Sequence, residues 1–389
     1  MRKIVVIGGG PSGLFFAAMA RRRFPGVAVE VHEQNAADAT FGFGIILAEG
    51  GHGAFRDADP EIADAIAAAS LRSRDRVFSL DGEDVFIEGG PWGGGIARLK
   101  LLAVLQQLCR ERGVALHFGA RIENPDQFDA DLIVGADGVN SIVRRAYEGA
   151  FGSTSWTLCN RMAWYGTTRP YPTPILSFRR TAHGNFWAVG YSHSPEQSTF
   201  VAECDGDAWI RSGLNRMSME ERQRFASQVF AAELGGHPLL SNRSDWAALP
   251  VIRCRNWFVG HRVLLGDALH SPHPSIGSGT RIAMEDAIAL IDGLAAHPGD
   301  IPAGLQQYQR AHSVQSAKLV TAMEKSFGWY ESIGERLQRL DAVELAFDYM
   351  TRTGRVDAQR LWRDYPAFMK KYEQRWNAWH APAAARSAS

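Results

Sequence analysis

Apolar positions along this chain fall into continuous runs, helical stripes and strand-like alternations, and each pattern predicts a different element. Lys3–Ile7 is a short β-branched run of the kind that forms a buried parallel strand. Gly8-Gly9-Gly10-Pro11-Ser12-Gly13 turns the chain into Leu14–Arg23, which has the length and composition of a helix. Valine-rich Val27–Glu33 follows as a second strand, completing one βαβ unit. Leu101, Leu102, Leu105 and Leu108 recur at helical spacing and predict an amphipathic helix over Arg98–Arg112. Asp131–Val134 is a short apolar strand that runs into Gly135-Ala136-Asp137-Gly138.

The rhythm changes from about residue 156 to 254. MAWYGTT, ILSFRR, NFWAVGYSH and STFVAEC are aromatic and β-branched segments separated by Pro, Gly and Asn, which predicts an antiparallel sheet. A helix is expected near Ser218–Leu234. At Arg262–Gly266 the buried-strand signature returns, followed by a glycine-rich turn and a helix from about Gly279 to Leu294. The remainder to about Trp379 reads as mostly helical, with a frayed Ala/Ser tail. Nucleotide-type segments at both ends enclose a β-rich middle. The expected fold is therefore α/β, with a discontinuous cofactor domain over 1–70, 97–155 and 255–310. A β-rich substrate domain would take 71–96 and 156–254, a C-terminal helical region 311–380, and the tail 381–389.

Composition narrows the function. Of 389 residues 46% are hydrophobic, ample for a buried core, and 42 basic residues balance 42 acidic ones. A net charge of zero argues against a nucleic-acid-binding stripe or a polybasic membrane anchor. Cys109, Cys159, Cys204 and Cys254 lie far apart with no CxxC, so neither a disulfide framework nor a zinc site is expected, and a reducing cytoplasm fits. No apolar run is long enough to span a bilayer. Met1-Arg2-Lys3 and the apolar stretch after it resemble a signal peptide in charge, but Gly8, Gly9, Gly10, Pro11 and Gly13 interrupt the helix such a peptide needs, so the segment reads as folded structure.

Two motifs carry the chemistry. In Gly8-x-Gly10-x-x-Gly13 one glycine makes the tight turn, one lets a pyrophosphate approach the backbone, and one lets the helix, entered through Pro11 and Ser12, pack on the strand. The phosphates would rest on the helix N-terminus, and Glu33, closing the second strand, would accept hydrogen bonds from the adenosine ribose. That much suits NAD or FAD. The second motif favours FAD: Asp267, in Gly266-Asp267-Ala268-Leu269-His270, can hold a polyol chain, which FAD has as its ribityl group and NAD lacks. Pro274-x-x-Gly277-x-Gly279 then leads into a helix whose first N–H groups would face the flavin's N1–C2=O edge. Only one dinucleotide fingerprint is present, so NADH or NADPH would visit without a Rossmann domain of its own.

GGGPSG, GADGVNSIVR at Gly135–Arg144 and GDALHSPHPSIGSG, in this order, resemble the single-component flavin-dependent aromatic hydroxylases, which share the para-hydroxybenzoate hydroxylase fold. The resemblance implies a Rossmann-like FAD domain of the GR2 type with an inserted antiparallel substrate domain. It implies that Gly8, Gly10, Pro11, Ser12, Gly13 and Glu33 meet the ADP half of FAD, that Arg98 contacts FAD from its helix, and that Asp137 and Gly138 form the second FAD and NAD(P)H-associated motif. It assigns Asp267 to the ribityl chain and Pro274, Gly277 and Gly279 to the loop beside the isoalloxazine.

A narrower resemblance rests on FGFGI at Phe41–Ile45, which contains Gly44, on MAWYGTT, STFVAEC, SIGSGT with AMEDAIAL, and AFDYMTRTGRV. These are similar to the salicylyl-CoA and anthraniloyl-CoA hydroxylases, and the middle segments with AELGGH also resemble the tryptophan hydroxylase of violacein biosynthesis. The chain departs from its acyl-CoA relatives at His273-Pro274-Ser275-Ile276, where His-Phe-Ser-Ile is expected, and at Val189-Gly190-Tyr191, where a His-Ala-Tyr strand is expected.

The resemblance implies that NAD(P)H reduces FAD, dioxygen adds at flavin C4a, and the resulting hydroperoxyflavin hydroxylates a ring activated by a hydroxyl or amino group. The substrate is then an aromatic CoA thioester or, alternatively, tryptophan or another free aromatic. His273, beside Pro274 in the flavin loop, is the candidate polar contact to the substrate; an ordinary structural histidine is the alternative. Trp164, Tyr165, Trp187 and Tyr191 either line the substrate cavity or pack the sheet core. Arg179-Arg180 and Arg253-x-Arg255 either meet CoA phosphates or are solvated surface. A monomer or homodimer is expected. An FAD enzyme of another reaction class and a non-enzymatic nucleotide-binding protein are the other readings; the W-x-W-x-I-P motif of tryptophan halogenases is absent.

Overall fold

The structure is a computed structural model that describes residues 1–40, 42–242, 244–271, 274–277 and 279–380. The chain divides into two compact units. The first comprises Met1–Ser70, Gly94–Leu158 and Leu249–Met323; the second comprises Leu71–Gly93, Cys159–Ala248 and the residues from Glu324 onward.

The first unit is built on a six-stranded sheet. In chain order its main elements are β1 (Lys3–Ile7), α1 (Pro11–Arg23), β2 (Ala28–Glu33), α2 (Arg98–Glu111), β3 (Ala115–Phe118), β4 (Leu132–Gly135), β5 (Arg262–Leu264) and α3 (Gly279–Ala296). The strand order is Phe258–Val259, β5, β4, β1, β2, β3, with every pairing parallel except that of Phe258–Val259 with β5. Central strands of such a sheet are covered on both faces, which is why Ile4, Val5, Val6, Leu132, Ile133 and Val134 form unbroken apolar runs with no exposed surface. The helix α1 packs against α2 and α3 through Leu14, Phe15, Phe16, Ala17 and Ala18, all fully buried. Its basic last turn, Arg21-Arg22-Arg23, complements the negative end of the helix dipole.

The chain leaves this sheet through Ser153–Thr157 and returns through Pro250–Cys254, and these two segments pair antiparallel with Thr157 opposite Pro250. That ribbon belongs to the first unit, whereas the sequence placed residues 156–254 together.

The second unit holds a seven-stranded sheet in the order Leu239–Leu240, Arg161–Thr167, Ser198–Cys204, Gly184–Ser192, Ile175–Thr181, Arg76–Leu80, Glu83–Ile87. Its pairings are antiparallel except for the parallel pair of Ile175–Thr181 and Arg76–Leu80. Alternation along the strands gives each face its own core. Ala163, Tyr165, Phe186, Ala188, Phe200 and Ala202 pack with Ala226, Phe230 and Leu234 on one face. Phe78, Phe178 and Trp187 pack on the other face with Trp329, Tyr330, Ile333 and Leu345. The C-terminal helices from Glu324 onward thus cover one face of this sheet, and residues 311–323 fall in the first unit. The helix expected near Ser218–Leu234 runs over Met219–Val229, held by a capping box between Ser218 and Glu221, and a further turn follows at Ala231–Leu234. No described helix is long and apolar enough to cross a membrane.

Candidate cofactor site

At the end of β1 the chain must reverse tightly. Gly8 sits at φ +110°, and a Cβ there would lie 2.3 Å from the Ala136 carbonyl oxygen, so only glycine fits. A Cβ at Gly13 would lie 2.1 Å from the Gly8 carbonyl oxygen, so that residue sets how closely α1 approaches the strand. Gly10 is different: a Cβ there would meet nothing within 4 Å. It caps α1 without a side-chain hydrogen bond, and no acidic residue occupies the first turn. The first N–H groups of α1 are left for an outside acceptor, which the helix dipole makes anionic by preference.

Glu33 ends β2 beside this turn. Its Oε2 accepts from the Gly9 N–H at 2.8 Å, and its Oε1 accepts from the Asn35 backbone N–H at 2.8 Å and side-chain amide at 2.7 Å. The carboxylate is fixed in place and stays part-exposed, so its remaining lone pairs can accept hydroxyl groups.

The second motif closes on the first from the end of β5. A Cβ at Gly266, which has φ +56°, would lie 3.2 Å from the Ser12 hydroxyl oxygen and 2.9 Å from the Ala283 Cβ. Leu265 and Ala268 are fully buried, whereas the Asp267 side chain is solvent-accessible. Surrounding protein nevertheless desolvates Asp267 and pushes its carboxyl pKa up, with the Arg98 guanidinium pulling it back. Asp267 is thus reachable from solvent although protein groups surround its carboxylate. Arg98 opens α2, and its backbone N–H donates to the Phe43 carbonyl at 2.8 Å, which fastens the segment containing Gly44.

Beneath this turn lies a buried polar layer that sequence reasoning missed. Asp286 on α3 is fully buried and accepts from the Gly266 N–H at 2.9 Å. It also meets His270 Nε2 at 2.8 Å and His312 Nε2 at 2.9 Å. Burial works to raise the Asp286 carboxyl, but the two histidines hold it well below the usual carboxylate range. Burial likewise works to lower His270, and Asp286 raises it above its ordinary value. An acidic pair, Glu285-Asp286, between apolar stretches of α3 was the available signal. Arg144 is a second clasp: it donates to the Ala268 carbonyl at 2.7 Å and the Val139 carbonyl at 2.5 Å, tying the GADG turn to the GDA turn.

Asp137 lies at the end of β4, with Oδ2 accepting from the Ile142 N–H at 2.7 Å. Its Oδ1 is buried with no hydrogen-bond partner among the described residues, and burial raises its carboxyl pKa. Gly138 and Gly277 both have positive φ and open space where a Cβ would stand. Gly277 closes a turn onto the Pro274 carbonyl at 2.8 Å, and Gly279 begins α3. His273 lies outside the described residues.

In the second unit, Trp164, Trp187 and Tyr191 project from one face of the sheet, as their alternation with Tyr165, Phe186 and Ala188 requires. Trp187 is only 1% exposed, stacks on Tyr330 and donates its indole N–H to Glu203 Oε2 at 2.8 Å, so its place is in the packed core. Tyr191 is buried, and Tyr165 is buried on the opposite face, accepting from the Trp246 indole at 2.9 Å. Trp164 is half-buried, and its indole nitrogen has no hydrogen-bond partner among the described residues.

A glycine turn of strict geometry, an uncapped helix N-terminus and acids at Glu33 and Asp267 form the arrangement of a Rossmann-type dinucleotide-binding domain. The residues fit FAD: the open space at Gly10 suits a pyrophosphate, and Asp267 suits a polyol. The model of the FAD binding domain family matches residues 104–322. Salicyloyl-CoA 5-hydroxylase from a Streptomyces species is 35% identical over 90% of this chain and 70% of its own. The 3-hydroxy-4-methyl-anthranilyl-[aryl-carrier protein] 5-monooxygenase of Streptosporangium sibiricum is 35% identical over 93% and 96%. Protodeoxyviolaceinate monooxygenase of Chromobacterium violaceum is 31% identical over 90% and 94%. The tetrameric form of 2-methyl-3-hydroxypyridine-5-carboxylic acid oxygenase shares the fold, with a TM-score of 0.69 at 18% identity over 92% of this chain and 98% of that one. The chain belongs to the FAD binding domain family of flavin-dependent aromatic monooxygenases, with FAD as its cofactor and NAD(P)H as the typical reductant.

Proposed function

We propose that this enzyme hydroxylates an aromatic ring bearing a hydroxyl or amino group, presented as a CoA thioester. What carries the reading is the convergence of the uncapped start of α1, the Gly266–Asp267 turn and Arg98. FAD, when bound, would supply the redox chemistry, accepting a hydride from NAD(P)H and activating dioxygen. Around it, the N–H groups after Gly10, with Pro11, Ser12 and Gly13, hold the pyrophosphate, while Glu33 accepts the adenosine ribose hydroxyls. Asp267 accepts the ribityl hydroxyls, and Arg98 balances its charge. Gly44, Asp137 and Gly138 border the cofactor. The backbone at Gly277 and Gly279, at the positive end of α3, would face the flavin and favour negative charge there. Pro274 would border the flavin, the sequence assigns the polar contact to the substrate to His273, and Trp164 offers an indole N–H without a partner among the described residues.

Support for the thioester comes from two relatives whose named substrates carry an aryl group on CoA or on an aryl carrier protein. A free aromatic such as tryptophan is the second reading, favoured by the relative named for protodeoxyviolaceinate. The test is NAD(P)H oxidation by flavin-loaded enzyme with salicylyl-, anthraniloyl- and hydroxybenzoyl-CoA, their free acids and tryptophan, with products analysed by mass. Stimulation by a thioester, giving a product one oxygen heavier, is expected. Stimulation by free compounds alone would end the thioester reading.

A further inference from the structure

Within the second unit, the chain enters the sheet through an arginine at every second position: Arg72, Arg74 and Arg76. Arg72, Ser73 and Arg74 line a cavity of about 300 Å³ together with Trp92. The Arg72 guanidinium lies over the Trp92 ring, 4.4 Å from its centroid, and Arg76 lies 5.3 Å over Tyr365. Arg72 and Arg74 are exposed. Among the described residues no carboxylate pairs with any of the three arginines. The neighbouring acids are engaged elsewhere: Asp75 accepts from the Gly89 N–H at 2.8 Å, and Asp364 is held by Arg360 and Arg363. The loop that presents Trp92 is fixed from behind, because a Cβ at Gly90 would lie 2.3 Å from the Tyr365 ring.

The other arginine pair in this unit differs. Arg179 meets Glu233 at 2.6 Å and Arg180 meets Asp81 at 2.6 Å, so the charge of each is neutralised within the fold. Guanidinium groups stay charged at every physiological pH and bind phosphate in a fork. An arginine stacked on tryptophan also makes a flat surface on which a purine ring stacks. This open groove lies near the lower end of the ligand-pocket range, about 300–1,000 Å³, and has space for one nucleoside head.

We propose that Arg72, Arg74 and Trp92 bind the phosphorylated adenosine head of the CoA thioester, with the adenine on the Arg72–Trp92 platform and the phosphates on the arginines. This assignment rests on the reading of the substrate as a CoA thioester. An adenosine diphosphate with an extra ribose phosphate is also part of NADPH, so the experiment separates the two sources. Calorimetric titration of the full-length, flavin-loaded enzyme would use CoA, dephospho-CoA lacking the 3′-phosphate, and NADPH. It would compare wild type, the R72A/R74A double variant and Trp92→Ala, each first checked for flavin content and melting temperature.

Wild type should prefer CoA to dephospho-CoA, and the double variant should bind CoA about 10- to 100-fold more weakly and lose that preference. Trp92→Ala should weaken both CoA forms alike. CoA affinity unchanged in R72A/R74A overturns the site while leaving the thioester reading standing. A loss confined to NADPH overturns it in favour of the reductant. Absence of CoA binding to wild type, with free acids as substrates, overturns the thioester reading and this assignment with it.

Discussion

Asp267 and Glu203 are both carboxylates whose pKa lies above its usual range, and their settings are opposite. Asp267 is solvent-accessible, so Asp267→Ala should lower FAD affinity by about 10- to 100-fold, read by flavin titration of the apo-protein. Full flavin occupancy in that variant would refute the ribityl assignment. Glu203 is 7% exposed, and burial pushes its carboxyl up to about 8, partly opposed by the Trp187 indole and aggravated by nearby Glu331. Between its ordinary value of 4.5 and about 8, the unfolded chain has released this proton and the folded chain still holds it. Its contribution to stability therefore falls as pH rises through that window. Glu203→Gln should flatten the decline and melt higher than wild type at pH 8; an unchanged pH profile would show that Glu203 titrates normally. Glu33 and the glycines were legible in the sequence because their spacing is local. Glu203 was not, because STFVAEC reads as an ordinary strand and its carboxylate is buried by residues near 330.

At the scale of elements, Gly10 and Gly13 separate folding from binding. Gly13→Ala drives a Cβ into the Gly8 carbonyl and should destabilise the protein by a few kcal/mol, as overpacking does. Gly10→Ala meets open space, so the apo-protein should melt near wild type while FAD binds much more weakly. Equal FAD affinity in Gly10→Ala would move the pyrophosphate elsewhere. Asp286→Ala removes the acceptor of the Gly266 N–H and the partner of two buried histidines. A loss of about 3–5 kcal/mol is expected in denaturant unfolding, with looser FAD binding. The predicted strands and α2 lie close to where periodicity put them. The helix α1 starts earlier than expected, at Pro11, since proline suits a first helical position. The layer under Asp267 was hidden because His270, Asp286 and His312 meet only after three separate segments have folded.

For the whole chain, what the C-terminal helices cover was not legible in the sequence. Their stripes are apolar, but which sheet face they meet depends on tertiary contacts that no local pattern encodes. Trp329, Tyr330, Ile333 and Leu345 pack on the face that carries Phe178 and Trp187. Ending the chain at Met323 should leave that face bare and give a protein that aggregates or binds a hydrophobic dye, checked by light scattering and dye fluorescence. A soluble, dye-negative truncation would contradict this packing.

The strand order has a consequence for synthesis. Strand β4 pairs with β1 on one side and with β5, at Arg262–Leu264, on the other. During translation the early strands emerge long before that last neighbour, with a delay on the order of ten seconds or more at about 5–20 residues per second. Asp267 comes later still. A growing polypeptide therefore keeps an open edge at β4 until Arg262–Leu264 has left the ribosome.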